Sequence, residues 1–408
     1  MQFIDKNIAI LGLGEEGQDV LAWLKSNSSD CRIKVFDKIK TVDLTKFDVI
    51  FRSPGFWRLS LMLKKSAAAG AIITSATKLF FDLCPCPIIG VTGTKGKGTT
   101  ASLIIRILTK SGRSVYLAGN IGKPMLQLLP RLKSTDWVCL ELSSFQLQDL
   151  TVSPHIAVVL NINSDHLDIH QDVNEYRQAK TNILKYQKPD DYAVINGDYQ
   201  TTKSMAALTK AKDSFFSRHD LSLDHRRIQL RGEHNLENIA AAMAAAQLVG
   251  VDDQSIKQAI YSFKGLEHRL ELVREINQVK FYNDSFSTTP ETAIAAIKSF
   301  SEPLIIILGG SDKGSDYRQL VRTICQSSNL KAVILIGQMG TTIRRSIHNF
   351  SGQIISGGKT MIQIIKQVKQ IVKAGDIVVL SPACASFDMF LNYQDRGNQF
   401  KAYVKKLH

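Results

Sequence analysis

Three times along the chain a short apolar run ends in glycine and gives way to a helical pattern. The runs are Asn7-Ile-Ala-Ile-Leu-Gly-Leu-Gly14, Ile88-Ile-Gly-Val-Thr92 ahead of Gly93, and Pro303-Leu-Ile-Ile-Ile-Leu308 ahead of Gly309. Uniformly apolar segments of this length suit strands buried on both faces of a parallel sheet. Further strands are expected at 32–37, 48–51 and 71–74 after the first run, and at 137–141, 156–161 and 192–196 after the second. A third set is expected at 278–283, 304–308, 332–336 and 376–380. Helices are expected over 16–26, 98–111, 174–187 and 235–249. Strands alternating with helices imply mainly parallel sheets covered on both faces, an α/β fold. At 408 residues the chain is too long for one core. The spacing predicts three domains, 1–87, 88–265 and 266–408, the first closed by the Pro-rich joint Cys84-Pro85-Cys86-Pro87.

Other classes are set aside by what the chain lacks. No apolar run approaches the roughly 18 residues that a membrane helix needs, and Asp5, Lys6 and Asn7 interrupt the start where a secretory peptide would be apolar. The cysteines, at 31, 84, 86, 139, 325 and 384, form no C-x-x-C. Cys84-Pro85-Cys86 has no second Cys/His pair nearby, so free thiols and a cytoplasmic location are expected. The net charge of +14 fits either a solvated basic surface or attraction of a polyphosphate ligand. No helix-turn-helix, zinc finger or aromatic-basic repeat argues for nucleic acid. Neither nucleic acid nor membrane is an expected partner.

The first glycine loop, Gly12-x-Gly14-x-x-Gly17, leaves a strand and opens a helix, and Asp37 stands twenty residues beyond Gly17. In that pattern glycines admit a pyrophosphate to a helix N-terminus and the acid binds a ribose hydroxyl. The same glycines also occur in plain tight turns. A segment ending near residue 87 holds only about half of a six-strand dinucleotide fold, and Glu15 and Glu16 put acids where phosphate would sit. A nucleotide-diphosphate group therefore fits better than NAD, with Gly14, Glu15, Asp37, Ser53 and Gly55 as candidate contacts.

The second loop, Thr92-Gly-Thr-Lys-Gly-Lys-Gly-Thr-Thr100, also lies between strand and helix. It departs from the strict P-loop string, because Val91 stands at the first glycine and Gly98 follows Lys97. Its mechanism is intact. Amides of Gly93, Thr94, Lys95, Gly96 and Gly98 can cradle phosphates, Lys97 can reach the β and γ oxygens, and Thr99 or Thr100 can hold Mg²⁺. The alternative is a glycine-rich turn with two solvated lysines; loop, lysine, hydroxyls and flanking elements together favour the phosphate cradle.

This loop resembles the ATP loop of the Mur ligases and of their relative folylpolyglutamate synthase, which join a carboxylate to an amine through an acyl phosphate. The resemblance then runs in order along the chain. Gly119-Asn-Ile-Gly122 and Glu141-Leu-Ser-Ser-Phe-Gln-Leu147 are similar to the segments by which D-glutamate-adding Mur ligases hold a muramoyl substrate, implying roles for Asn120, Ser143 and Gln146. In that family Glu141 is placed as a Mg²⁺ ligand. Asn161-Ile-Asn-Ser-Asp-His-Leu-Asp168 matches the motif whose histidine, His166, binds a second Mg²⁺. Tyr176-Arg-Gln-Ala-Lys180 matches the stretch with a carbamylated lysine, whose anionic carbamate suits a hard cation. Taken without the family, Glu141 reads as a strand-end carboxylate, His166 as a surface histidine and Lys180 as a surface lysine.

The resemblance continues with Gly232-Glu-His-Asn-Leu-Glu-Asn238, implying adenine contacts from Asn235 and Asn238. Gly265-Leu-Glu-His-Arg269 implies that Arg269 reaches ATP phosphates, and Asn283-Asp-Ser285 that Asp284 holds the ribose. Leu308-Gly-Gly-Ser-Asp-Lys-Gly314 and Ser381-Pro-Ala-Cys-Ala-Ser-Phe-Asp388 look like an amino-acid pocket, with Thr288, Lys313, Ser386 and Phe387 against a D-glutamate. Asp395-Arg-Gly-Asn398 completes the family ending. Phe286 departs from the pattern, which frequently has a lysine there.

The resemblance thus implies a half-Rossmann UDP-binding domain, a P-loop-like ATPase domain and a Rossmann-like C-terminal domain, with catalysis where the three meet. The implied activity is ATP- and Mg²⁺-dependent ligation of D-glutamate to UDP-N-acetylmuramoyl-L-alanine by a monomer, in peptidoglycan precursor synthesis and so in cell-wall growth and division. Folylpolyglutamate synthase, favoured by the Lys-Gly-Thr form of the loop, or a Mur ligase for another amino acid, is the alternative. An NAD-linked dehydrogenase would leave the second loop and everything after it without a role.

Overall fold

The computed structural model describes residues 3–28, 30–37, 42–162, 172–312 and 314–407. They form two compact units, Met1–Leu223 with Leu236–Ile260, and Asp224–Asn235 with Tyr261–His408. The first unit carries two sheets and the second carries one.

In the first sheet β1 (Asn7–Leu11), β2 (Arg32–Phe36), β3 (Val49–Arg52) and β4 (Ile72–Thr74) run parallel in the order β2-β1-β3-β4. Alternate residues serve opposite faces, as the two-residue strand period requires. Ile8, Ile10, Val49 and Phe51 pack with Val20, Leu24 and Leu79 from helices, while Ala9, Leu11 and Ile50 pack with Leu63. The second sheet is also wholly parallel. It comprises β5 (Ile88–Thr92), β6 (Val115–Gly119), β7 (Trp137–Glu141), β8 (Ile156–Val159), β9 (Tyr192–Asn196) and β10 (Lys212–Phe216), in the order β10-β9-β8-β5-β7-β6.

The third sheet is β11 (Glu271–Ile276), β12 (Val279–Asn283), β13 (Leu304–Gly309), β14 (Leu330–Ile336), β15 (Gln353–Ser356) and β16 (Ile377–Leu380), ordered β11-β12-β16-β13-β14-β15. The sheet is mainly parallel, as expected; β11 alone pairs antiparallel, with β12, across the two-residue turn at Asn277 and Gln278, both at positive φ. Its centre is buried on both faces. Ile306, Leu308, Val333 and Val379 point to one layer, Ile305, Ile307, Ile334 and Val378 to the other. Fully burying each such side chain contributes about 1.5–3 kcal/mol.

Every strand expected from the sequence is present. Four more, β6, β10, β11 and β15, were not anticipated, and each is a sheet edge. An edge strand need not be apolar on both faces, so it lacks the continuous apolar run that marks a central one. Among the described residues no helix is long and apolar enough to cross a membrane, and all six cysteines are free thiols.

Candidate active site

Each sheet has one strand across which the chain order reverses: β1 between β2 and β3, β5 between β7 and β8, β13 between β14 and β16. In open α/β sheets the crevice beyond the carboxyl end of such a strand is where ligands bind. Gly12, Gly93 and Gly310 each follow within two residues of those ends.

Beyond β5 the loop turns at Gly96, which precedes helix Lys97–Lys110 at φ +87°; a Cβ there would lie 2.1 Å from Asn238 Oδ1. Only glycine fits both the left-handed backbone and that approach. Neighbouring strand ends brace the loop. The amide of Thr94 donates to Asn161 O at 2.7 Å and that of Lys95 to Asn161 Oδ1 at 3.3 Å, while Thr94 Oγ1 meets Tyr176 OH at 3.0 Å. Thr99 and Thr100 are buried in the first helical turn, Thr100 Oγ1 donating to Asn238 Oδ1 at 3.3 Å. A helix N-terminus preceded by glycine amides suits an anion.

Two lysines enter this loop. Lys97 Nζ donates to the carbonyls of Gly93 at 3.1 Å and Thr94 at 3.2 Å. Lys180, 1% exposed, donates to Gly93 O at 2.9 Å and Thr92 Oγ1 at 3.4 Å, with Nζ 4.8 Å from the centre of the Tyr176 ring. Lys180 is therefore no surface lysine. Glu141, at the end of β7, is also buried: Oε1 accepts from Asn120 Nδ2 at 3.1 Å, and Oε2 has no partner among the described residues. A buried carboxylate oxygen left unpaired is costly, and it is the kind of donor a hard cation takes. His166 lies outside the described residues.

Beyond β1, Asp37 turns back on the glycine loop, Oδ1 accepting from the amide of Leu13 at 3.4 Å, and Ser53 Oγ donates to Gly12 O at 3.1 Å. Gly14 and Glu15 are exposed at the start of helix Glu15–Asn27, and Gly55 is also exposed. A cavity of about 40 Å³ is lined by Glu15, Glu16, Asp19, Asn120 and Lys123 among others. Ser143 and Gln146 form a capping box at the start of helix Ser144–Leu147, and Gln146 Nε2 donates to Glu16 Oε1 at 2.7 Å. Both ends of the Gln146 amide are thus engaged within the protein. Burial pushes the Glu16 carboxyl up to about 7, against the lowering effects of Gln146 and Arg52.

In the second unit the loops after β12 and β16 carry the expected residues. Asp284 is buried; Oδ1 accepts from the amide of Leu270 at 3.1 Å and Oδ2 from Ser381 Oγ at 2.7 Å, and burial raises its carboxyl to about 7. Asn235 Nδ2 donates to Arg231 O at 2.7 Å. Thr288 is half-buried, Ser386 buried, and Phe387 72% exposed. Lys313 lies outside the described residues. Arg269 stacks on Phe286, its guanidinium carbon 3.8 Å from the ring centre.

Sequence reasoning missed several residues that hold these parts in place. Arg396 is fully buried and donates to Ser285 Oγ and O and to the carbonyls of Cys384 and Ala385, joining the loops after β12 and β16. Its neutral partners leave the charge poorly compensated, and burial lowers its pKa to about 10. The Asp395-Arg-Gly-Asn398 string was a signal for it. Arg52 and Asp149 form a buried ion pair; a charge ending the apolar strand Val49–Arg52 was the available clue.

Comparison with known proteins places these features in a common setting. Two family models match: the Mur ligase middle domain over residues 91–227, and the Mur ligase, glutamate ligase domain over residues 268–384. The UDP-N-acetylmuramoylalanine--D-glutamate ligase of Acetivibrio thermocellus is 36% identical over 456 residues, covering 99% of this chain and 97% of that protein. The protein of the same name from Clostridium tetani is 36% identical over 448 residues, with coverage of 99% and 97%. Among solved structures, MurF ligase from Thermotoga maritima in complex with ADP aligns with a TM-score of 0.63 at 18% identity, covering 99% of this chain and 96% of that one. The UDP-N-acetylmuramate-alanine ligase MurC of Thermotoga maritima aligns with a TM-score of 0.61 at 14% identity, with coverage of 98% and 99%. At those identities the two structures speak for the fold alone.

Proposed function

The chain belongs to the Mur ligase family, ATP-dependent enzymes that form amide bonds, and from that premise we propose that it joins D-glutamate to UDP-N-acetylmuramoyl-L-alanine in the cytoplasm. Support for the substrates comes from relatives of that name matching nearly end to end. The observation that carries the reading is the loop beyond β5, where glycine amides, Lys97, Thr99 and Thr100 lie next to the end of β7 and its buried Glu141, whose Oε2 has no partner among the described residues.

The muramoyl-alanine carboxylate attacks the γ-phosphorus of ATP, giving an acyl phosphate and ADP. The amine of D-glutamate then attacks the acyl carbon, and phosphate leaves. This chain's part is charge stabilisation and positioning. The amides of Gly93, Gly96 and Gly98 and the Lys97 side chain face the phosphates, with the amides of Thr94 and Lys95 braced on Asn161. Asn235 and Asn238 take the base, Asp284 the ribose, and Arg269 a phosphate oxygen. Gly14, Glu15, Asp37, Ser53, Gly55, Asn120, Ser143 and Gln146 serve the UDP-muramoyl substrate, and Thr288, Lys313, Ser386 and Phe387 the amino acid. Thr99, Glu141, His166 and Lys180, the last as a carbamate, are the residues to hold two Mg²⁺. Bound there, Mg²⁺ would neutralise phosphate charge. Residues 1–87, 88–265 and 266–408 are assigned as the UDP-substrate, ATP and amino-acid domains.

The test is phosphate release with ATP, Mg²⁺ and UDP-N-acetylmuramoyl-L-alanine across a panel of amino acids. D-glutamate should give the highest turnover, and Lys97→Ala should lower it by at least ~10², the scale of losing a transition-state charge contact. A preference for a basic or neutral amino acid would overturn the acceptor, and near-normal turnover by Lys97→Ala would overturn the ATP site.

A further inference from the structure

Phe286 stands at the position where a lysine is frequent in the family, and its surroundings show what the ring does instead. The face of the ring lies against the Arg269 guanidinium at 3.8 Å. Tyr393 meets the same ring in a T-shaped contact, with ring centres 5.0 Å apart at 88°. The Phe286 amide donates to His268 O at 3.0 Å, so backbone and ring grip both sides of the same segment. That segment is unusual in itself. His268 and Leu270, the residues flanking Arg269, both have positive φ, +63° and +45°, a region that costs non-glycine residues free energy unless neighbours enforce it. The enforcing contacts are visible: His268 N donates to Glu271 Oε2 at 3.0 Å, and Leu270 N to Asp284 Oδ1 at 3.1 Å. The backbone of Arg269 is thereby fixed, and the stack on Phe286 restrains its long side chain.

We propose that Phe286 is a positioning residue, whose ring replaces a cation in the site by a platform that holds the Arg269 guanidinium in place. This deepens the reading of Arg269 as a phosphate contact and rests on it. Cation–π contact uses the flat of the guanidinium, so the in-plane N–H donors are not spent on the ring. Residues with flat apolar faces should then substitute for phenylalanine, and residues of equal bulk without a π face should not. A lysine at 286 would set one cation against another and release Arg269.

The experiment is steady-state kinetics on the full chain with varied ATP, for Phe286→Tyr, Phe286→Leu, Phe286→Lys, Arg269→Ala and the double variant Arg269→Ala/Phe286→Leu. Phe286→Leu and Phe286→Lys should raise the Michaelis constant for ATP about three- to tenfold, the scale of one cation–π contact, with a smaller change in kcat. Phe286→Tyr should stay within about twofold of the parent. Arg269→Ala should raise the constant further, and adding Phe286→Leu to it should change nothing more, since the ring acts through the arginine. A raised constant in Arg269→Ala beside an unchanged one in Phe286→Leu overturns the positioning role alone. So does a Phe286→Leu effect that persists in full without Arg269, or a tyrosine as defective as leucine. An unchanged constant in Arg269→Ala overturns the phosphate reading and the proposal with it.

Discussion

Lys97 and Lys180 donate to one acceptor, the carbonyl oxygen of Gly93, at 3.1 Å and 2.9 Å, from two different helices. One of the two, Lys180, is 1% exposed. Lys180 can serve the loop in two ways, as an amine donating to Gly93 or as a carbamate presenting anionic oxygens to a hard cation.

Lys180→Ala should be nearly inactive in either case, so the informative measurement is rescue. A carbamate acts through anionic oxygens, so acetate should restore part of the phosphate release. An amine acting only as donor to Gly93 would be replaced by ethylammonium. Rescue by ethylammonium and not by acetate, or full activity of the alanine variant, would sink the carbamate.

The Arg52–Asp149 pair gives a stability prediction with an internal control. Both side chains are at most 2% exposed, with Nε to Oδ2 at 2.8 Å, and Arg52 also donates to the carbonyls of Phe56 and Phe145. Arg58 meets the other oxygen of Asp149 at 2.9 Å but is 45% exposed. Arg52→Met leaves a buried carboxylate short of its main partner and should cost about 3–5 kcal/mol. Arg58→Ala should cost about 0–1 kcal/mol, as exposed pairs do. Urea unfolding midpoints compare the two; equal losses would show that burial is not what sets the value of this pair.

Glu16 predicts a pH dependence. Burial moves its carboxyl from the ordinary 4.5 up to about 7, so between those values the folded state binds more protons than the unfolded one. Stability from this group is therefore present below about 4.5 and falls as pH rises to about 7. Glu16→Gln keeps an acceptor for Gln146 Nε2 and cannot ionise. Its stability relative to the parent should rise between pH 5 and pH 8, read from urea midpoints at the two values. A difference independent of pH would mean that Glu16 ionises normally in the fold.

Which parts of this protein were legible in the chain follows from where each signal resides. Central strands such as Leu304–Gly309 announce themselves because both faces are buried and every residue must be apolar. The glycine loops announce themselves because Gly96 tolerates neither a Cβ nor another backbone region. Edge strands such as Glu271–Ile276 and Gln353–Ser356 stayed hidden, because water satisfies part of their surface and polar residues are allowed.

The three strand–loop–helix starts, the order of their motifs and the family can all be read along the chain. Those depend on local periodicity and on residues a few positions apart. Packing alone sets Lys180 on Gly93, 87 positions away, pairs Arg52 across 97 positions with Asp149, and turns Phe286 to Arg269. A side chain's partners, and with them its charge state, are set by which strand ends the sheet order brings together. That order belongs to the packed sheet and is written in no single stretch of residues.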